Sequence, residues 1–133
     1  MGNYFSKNHS KYMIKCHLIF VCKYRKKLLR NNLDNDMKNI LLDISNNSDF
    51  EINVMESDID HIHFLITYPP KLSLTSIVRR LKQVSTNKIW KLHYNYLIRH
   101  FWKEKTFWSD GYFVCSIGDA NPNTIRKYIE NQG

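Results

Sequence analysis

The chain has 133 residues and a mass of 16.0 kDa, a length that suits one domain spanning residues 1–133, with about two-thirds of its unfolded surface buried. Four glycines and three prolines beside 43% hydrophobic residues exclude a collagen-like or low-complexity chain, and no apolar run approaches the ~20 residues of a membrane span. A net charge of +8 and a sequence pI near 9.4 point to a polyanionic partner, nucleic acid before an anionic membrane.

The opening residues lack the charged and apolar segments of a signal peptide, so none is expected. Cys16, Cys22 and Cys115 are odd in number and lack metal-site spacing. Cys16 and Cys22, six apart in an apolar, strand-like run, read as small core residues of a reducing, cytoplasmic compartment. Residues 1–11 are polar and expected to be loosely held.

From Tyr12 to Cys22 the pattern alternates. Tyr12, Ile14, Cys16, Leu18, Phe20 and Cys22 make an apolar face, and Met13, Lys15, His17, Ile19, Val21 and Lys23 a mixed one, which predicts a strand. The basic run Lys23-Tyr24-Arg25-Lys26-Lys27 follows. Leu33, Met37, Ile40, Leu41 and Ile44 recur at helical spacing and predict a helix over about 34–46. Phe50, Ile52 and Val54 alternate as a second strand. After a turn at 57–60, His61 to Tyr68 reads as a third, stopped by Pro69-Pro70.

Ser73 is placed to cap a long helix whose buried face is Leu74, Ile77, Val78, Leu81 and Val84. Arg79, Arg80, Lys82, Lys88 and Lys91 give that helix a basic exterior. The pattern blurs over 93–103, and 107–117 reads as a fourth strand bent at Asp110-Gly111. Gly118-Asp119-Ala120 is a linker. Asn121-Pro122 starts a last helix over about 122–131, with Asn as cap and Pro in the first turn. The order β-α-β-β-α-β-α predicts an α+β, ferredoxin-like split βαβ fold: a four-stranded antiparallel sheet with two helices on one face. The extra C-terminal helix is left to pack on the open sheet face.

Strand alternation puts His61 and His63 on one side of the third strand and Ile62, Phe64 and Ile66 on the other. The apolar set faces the helices, so the imidazoles project from the open face, and His17 shares that side by the same parity. Two imidazoles spaced two residues apart can chelate one cation, and they can equally be structural. On the last helix Ile125, Tyr128, Ile129 and Gln132 share one face. That face is either a packing stripe with an edge Gln, or a device that carries Tyr128 and Gln132 toward the histidines.

Basic residues adjoin aromatic ones at Lys23-Tyr24-Arg25, Trp90-Lys91 and Phe101-Trp102-Lys103. That mixture suits phosphate neutralisation with base stacking. Lys23, Arg25, Lys26, Lys27, Arg79, Lys82 and Lys88 are the candidate DNA contacts, against the alternative of a solvated charged face. Trp90, Trp102 and Trp108 are expected in the core, with stacking as their alternative.

Cys16-His17-Leu18-Ile19-Phe20 precedes Lys23-Tyr24-Arg25-Lys26-Lys27, and Asp60-His61-Ile62-His63-Phe64-Leu65 precedes a long helix bearing Leu81-Lys82 and Ser85. Phe107-Trp108-Ser109, Tyr112-Phe113-Val114, Gly118 and Tyr128-Ile129-Glu130-Asn131-Gln132 complete the series. In that order and spacing, from about Tyr12 to Gln132, the chain resembles the single-tyrosine HUH transposases of bacterial and archaeal insertion sequences, the TnpA class. The resemblance implies that His61 and His63 bind a catalytic divalent ion, with Gln132 as third ligand and Tyr128 as nucleophile. His17 would support the site. Imidazole donors alone suit Mn, Ni or Zn; the resemblance implies Mg2+ or Mn2+ and no nucleotide cofactor. It also implies a homodimer with Tyr128 acting in trans, which cuts and rejoins single-stranded DNA next to end hairpins through a 5′-phosphotyrosine. The alternatives are a non-catalytic ferredoxin-like nucleic-acid-binding module and a metal-dependent single-strand nuclease.

Overall fold

A computed structural model of the chain describes residues 12–117 and 121–132. Strand β1 (Ile14–Val21) leads through a 3-10 turn (Lys23–Arg25) to helix α1 (Asn31–Asn46). The hairpin β2 (Glu51–Asp58) and β3 (His61–Tyr68) follows, then α2 (Leu74–Leu92), a single turn α3 (Tyr94–Leu97), β4 (Phe113–Ser116) and α4 (Pro122–Asn131). The strands form one sheet in the order β2-β3-β1-β4, with every neighbouring pair antiparallel. This is the expected α+β, ferredoxin-like arrangement. The N-terminal arm and the Gly118-Asp119-Ala120 linker lie outside the described residues.

One sheet face builds the core. Cys16, Leu18 and Phe20 of β1 and Ile62, Phe64 and Ile66 of β3 are buried with Leu33, Met37, Leu41 and Ile44 of α1 and Ile77, Val78, Leu81 and Ile89 of α2. Each large aliphatic or aromatic side chain so placed contributes about 1.5–3 kcal/mol. Cys16 and Cys22 are buried free thiols of this core. Burial raises the Cys16 thiol to about 11 and Cys22 higher still, which makes both inert. The Ser73 side chain accepts from the Ser76 amide at 3.1 Å and starts α2. Asn121 accepts from the Asn123 amide at 2.8 Å, with Pro122 in the first turn of α4.

The structure departs from the sequence pattern in four places. β1 begins at Ile14, because its last partner on β3 is Tyr68 and Pro69 has no N–H to extend the ladder. α1 begins at Asn31, whose φ of 51° lies in the left-handed region that Asn tolerates; the two asparagines ahead of Leu33 carry no apolar signal. A bulge between Ile52 and Val54 turns Val54 outward and brings Met55 against the core. The same shift sets Glu56 opposite His63 and Asp58 opposite His61.

The fourth departure is β4, expected over 107–117. Trp108 bridges Cys22 and the Ser109 amide donates to Val21, but the ladder resumes only at Ile19–Phe113. Asp110, Gly111 and Tyr112 thus stand against the single residue Phe20, a double bulge at the expected bend. The blurred segment 93–103 contains α3 followed by loop.

Candidate active site

The β3 register fixes the histidines. His61 pairs with Val21 and His63 with Ile19, on the face away from the helices. His17 is diagonal to His63 on that face, and its Nδ1 lies 2.7 Å from His63 Nε2. Asp60 Oδ1 lies 2.9 Å from His61 Nδ1. A carboxylate there accepts the Nδ1 proton and leaves the Nε2 lone pair of His61 free, the usual support of a metal-binding imidazole. Arg25 closes on the other oxygen of Asp60 at 3.7 Å. Burial, followed by His17, pulls the His63 pKa below its ordinary value, with Glu56 opposing. The neutral, donor-capable imidazole is therefore favoured.

Helix α4 supplies the second half. Ile125, Tyr128, Ile129 and Gln132 are its partly covered residues, and the others are exposed. This is the face read from the helical spacing, and it packs on the open side of the sheet. The Tyr128 ring lies 5.4 Å from the Phe113 ring. Ser109 Oγ donates to Gln132 Oε1 at 3.1 Å. A β-carbon on Gly111 would stand 3.5 Å from both the Tyr128 hydroxyl and Gln132 Oε1, an ordinary contact distance, so Gly111 lies directly beneath both groups. The Tyr128 hydroxyl is enclosed and has no hydrogen-bond partner among the described residues. Burial raises its pKa to about 12.

The two halves belong to adjacent rows across the sheet. His63, Ile19 and Phe113 form one row, and His61, Val21 and Ser109 the next. Tyr128 sits on the first row and Gln132 on the second. At ~4.8 Å per strand, the histidine backbone and the tyrosine seat are about 10 Å apart.

Lys82 requires a correction. It was expected on the basic exterior of α2, yet it turns inward, and its Nζ donates to the carbonyls of Ser109, Asp110 and Gly111 at 2.7, 3.2 and 2.8 Å. An ammonium has three protons, and the double bulge exposes three carbonyls that no strand partner takes. Burial lowers the Lys82 pKa to about 8, with Asp110 opposing.

The other basic candidates differ in availability. Lys23 is paired with Asp110 at 3.3 Å, and Arg25 with Asp60 as above. Lys26 lies 5.7 Å over the Phe101 ring. Lys27 and Arg79 are exposed, and exposed Lys88 reaches Asp43 at 3.5 Å. Trp90 and Trp108 are core residues as expected, whereas Trp102 is 74% exposed, against the expectation.

Sequence reasoning missed Asp60, Ser109, Gly111 and the inward Lys82 as parts of the site. Adjacency to His61 was the available signal for Asp60. For the others the signal exists only once the bulge brings residues 109–111 under α4.

The donors suit a divalent cation. Among the described residues no three His, Cys, Asp or Glu side chains converge as a ready metal cluster. The two imidazoles of β3 and, across the sheet, the Gln132 amide oxygen oriented by Ser109 are donors of the kind such an ion takes. Among the described residues no helix is long and apolar enough to cross a membrane.

The ISDra2 transposase TnpA of Deinococcus radiodurans is 30% identical over 121 residues, covering 91% of this chain and 85% of that protein. The transposase of insertion sequence IS200 from Salmonella typhimurium is 29% identical over 132 residues, covering 99% and 85%. A crystal structure of a candidate transposase from D. radiodurans R1 superposes with a TM-score of 0.84 at 27% identity, over 94% of this chain and 95% of that one. A REP-associated tyrosine transposase bound to a REP hairpin shares the fold, with a TM-score of 0.55 at 17% identity over 94% and 69%. The family model described as IS200-like transposase matches residues 10–132, which takes in every described element, and the chain therefore belongs to the IS200-like transposase family of DNA-processing enzymes.

Proposed function

We propose that the protein cuts and rejoins single-stranded DNA at insertion-sequence ends, with Tyr128 as nucleophile and His61, His63 and Gln132 holding Mg2+ or Mn2+, without a nucleotide cofactor. The observation that carries this reading is the Tyr128 hydroxyl, enclosed without a partner among the described residues beside an oriented amide. An unsatisfied buried hydroxyl costs about 1–3 kcal/mol. Such a group makes physical sense where a reacting phosphate completes its surroundings.

A pKa near 12 keeps the phenol protonated at neutral pH and poorly nucleophilic. A divalent cation bound at the imidazoles and amide would supply charge withdrawal from the phosphate and favour the phenolate. Asp60 holds the His61 ring, and Ser109 fixes the Gln132 oxygen. The Tyr128 oxygen attacks phosphorus, the P–O3′ bond breaks, and the phenolic proton is transferred to the released 3′ oxygen. The phosphotyrosine ester conserves the bond energy, so a second 3′-hydroxyl reverses the step and joins new ends.

One tyrosine per site performs one cleavage at a time, and the working unit we propose is a homodimer. In the single chain α4 lies over its own sheet; in the trans arrangement the helix of the other subunit takes the same seat at Ser109, Gly111 and Phe113. Exposed Lys27 and Arg79, together with Lys88 once it leaves Asp43, are the proposed phosphate contacts, and hairpins near the element ends are the proposed recognition elements. A protein of this fold bound to a REP hairpin supports that part of the reading.

His61→Ala or His63→Ala should abolish cleavage and spare hairpin binding, which rests on phosphate contacts. Full cleavage in excess chelator contradicts the metal. A mixture of Tyr128→Phe and His61→Ala chains, each inactive alone, should regain about a quarter of wild-type cleavage if sites form across a randomly mixed dimer. No recovery with DNA-bound heterodimers present rejects the trans arrangement.

A further inference from the structure

Tyr24 and Trp102 are exposed aromatic rings, 59% and 74% accessible, and both line one open cavity of about 390 Å³ together with His100 and Lys103. The exposure of Trp102 does not reflect a lack of core, since the neighbouring Phe101, Trp90 and Trp108 are all buried. Tyr24 is presented at a conformational cost. It and Arg25 have φ of 58° and 51°, a region that bulky L-residues rarely occupy. The turn that holds them is fixed by bonds from the Lys23 amide to Phe107 and from the Arg25 amide to Cys22, each 2.8 Å. Strain that turns a ring out into solvent, over-determined by the surrounding backbone, points to use of the ring.

Cations accompany both rings. Lys103 Nζ lies 5.1 Å from the Trp102 ring, and Lys23 Nζ, which also pairs with exposed Asp110, lies 5.5 Å from the Tyr24 ring. Glu104 is the one acid among the residues lining the cavity. Flat aromatic surface beside ammonium groups is the chemistry that takes a nucleobase on the rings and its flanking phosphates on the cations. The same turn reaches the candidate active site, because Arg25 closes on Asp60, the carboxylate that holds His61.

We propose that Tyr24 and Trp102 form a stacking site for an unpaired base of single-stranded DNA, on the strand that runs to the histidines. The proposal rests on the DNA-processing reading above and deepens it by naming where an unpaired base is held.

Trp102 is the solvent-facing tryptophan, while buried Trp90 and Trp108 give a background that Trp102→Phe measures, so the difference reports on Trp102. A short oligothymidylate should quench the intrinsic tryptophan emission of the full chain as it binds. Trp102→Ala and Tyr24→Ala should each weaken binding by about 5- to 150-fold, the worth of one stacked base. Both should leave the slope of log affinity against log salt unchanged, since no counterion is released by stacking. Trp102→Phe should keep most of the affinity while losing the fluorescence change, and Lys103→Gln should lower the salt slope by about one. Wild-type binding without quenching, or undiminished binding by Trp102→Ala, overturns the stacking site and leaves the DNA reading standing. A concentration-dependent shift of Trp102 emission without DNA assigns the rings to contact between copies and also overturns it. Failure of the wild type to bind any single strand removes the DNA reading and the site together.

Discussion

Replacing Tyr128 with Phe should make the protein more stable while it destroys activity. The substitution deletes one oxygen and keeps the ring packed 5.4 Å from Phe113. No hydrogen bond is lost, because the hydroxyl has no partner among the described residues. What disappears is the cost of an unsatisfied buried hydroxyl, about 1–3 kcal/mol. At this chain length the gain corresponds to a rise in Tm of roughly 3–12 °C. Urea unfolding followed by circular dichroism measures it, and hydrogen exchange of the α4 amides localises it. The gap should widen in alkali. The wild-type phenol titrates near 12 when folded and near 10 when unfolded, so the unfolded chain gives up its proton first. That contribution is fully present below pH 10 and is lost as pH rises toward 12; the Phe variant has no such loss. A variant destabilised by 1 kcal/mol or more would show that the hydroxyl is satisfied in the folded state, and the argument from an unpaired nucleophile would fail.

Three other outcomes follow from the same geometry. Lys82→Met keeps the length of the side chain but withdraws the donors from the Ser109–Gly111 bulge. Two inner carbonyls at about 1–3 kcal/mol each, with water replacing the ammonium at exposed Asp110, give a loss of about 2–6 kcal/mol in urea unfolding, with cleavage reduced and hairpin affinity kept. Gln132→Ala should weaken Mn2+ binding in a titration and leave cleavage recoverable at high Mn2+, because a neutral amide is the weakest of the three donors. His63 favours its neutral form through burial and then His17, so its contribution to stability is present above pH 6.5 and is lost as pH falls through its lower folded value; His63→Ala should remove that slope from urea midpoints measured between pH 7 and pH 5.

Much of the site was legible because strand and helix periods place side chains without knowledge of the tertiary fold. The parity of His61-Ile62-His63 set the imidazoles opposite the core, and the register confirms it. The spacing of Ile125, Tyr128, Ile129 and Gln132 set one face of α4, and those are its covered residues. The failures share one cause, the irregular backbone of the sheet. A single extra residue at Asn53 turned Val54 out and put Glu56 beside His63, and two extra residues near Asp110 created the three-carbonyl cluster that draws Lys82 inward. A charged residue on a helix reads as exterior until the fold offers it buried acceptors. Trp102 failed in the opposite direction: hydrophobicity alone placed it inside, while the strained turn and loop around it hold it out.

The most direct test of the account is the covalent intermediate. The full chain, Mn2+ or Mg2+ and single-stranded DNA carrying the element's own ends are incubated together, resolved on a denaturing gel and digested for mass spectrometry. The account predicts a metal-dependent protein–DNA adduct with a 5′-phosphate on the peptide containing Tyr128, absent in Tyr128→Phe and in chelator. Cleaved DNA with hydrolysed ends and no adduct, or an adduct that survives Tyr128→Phe, contradicts it.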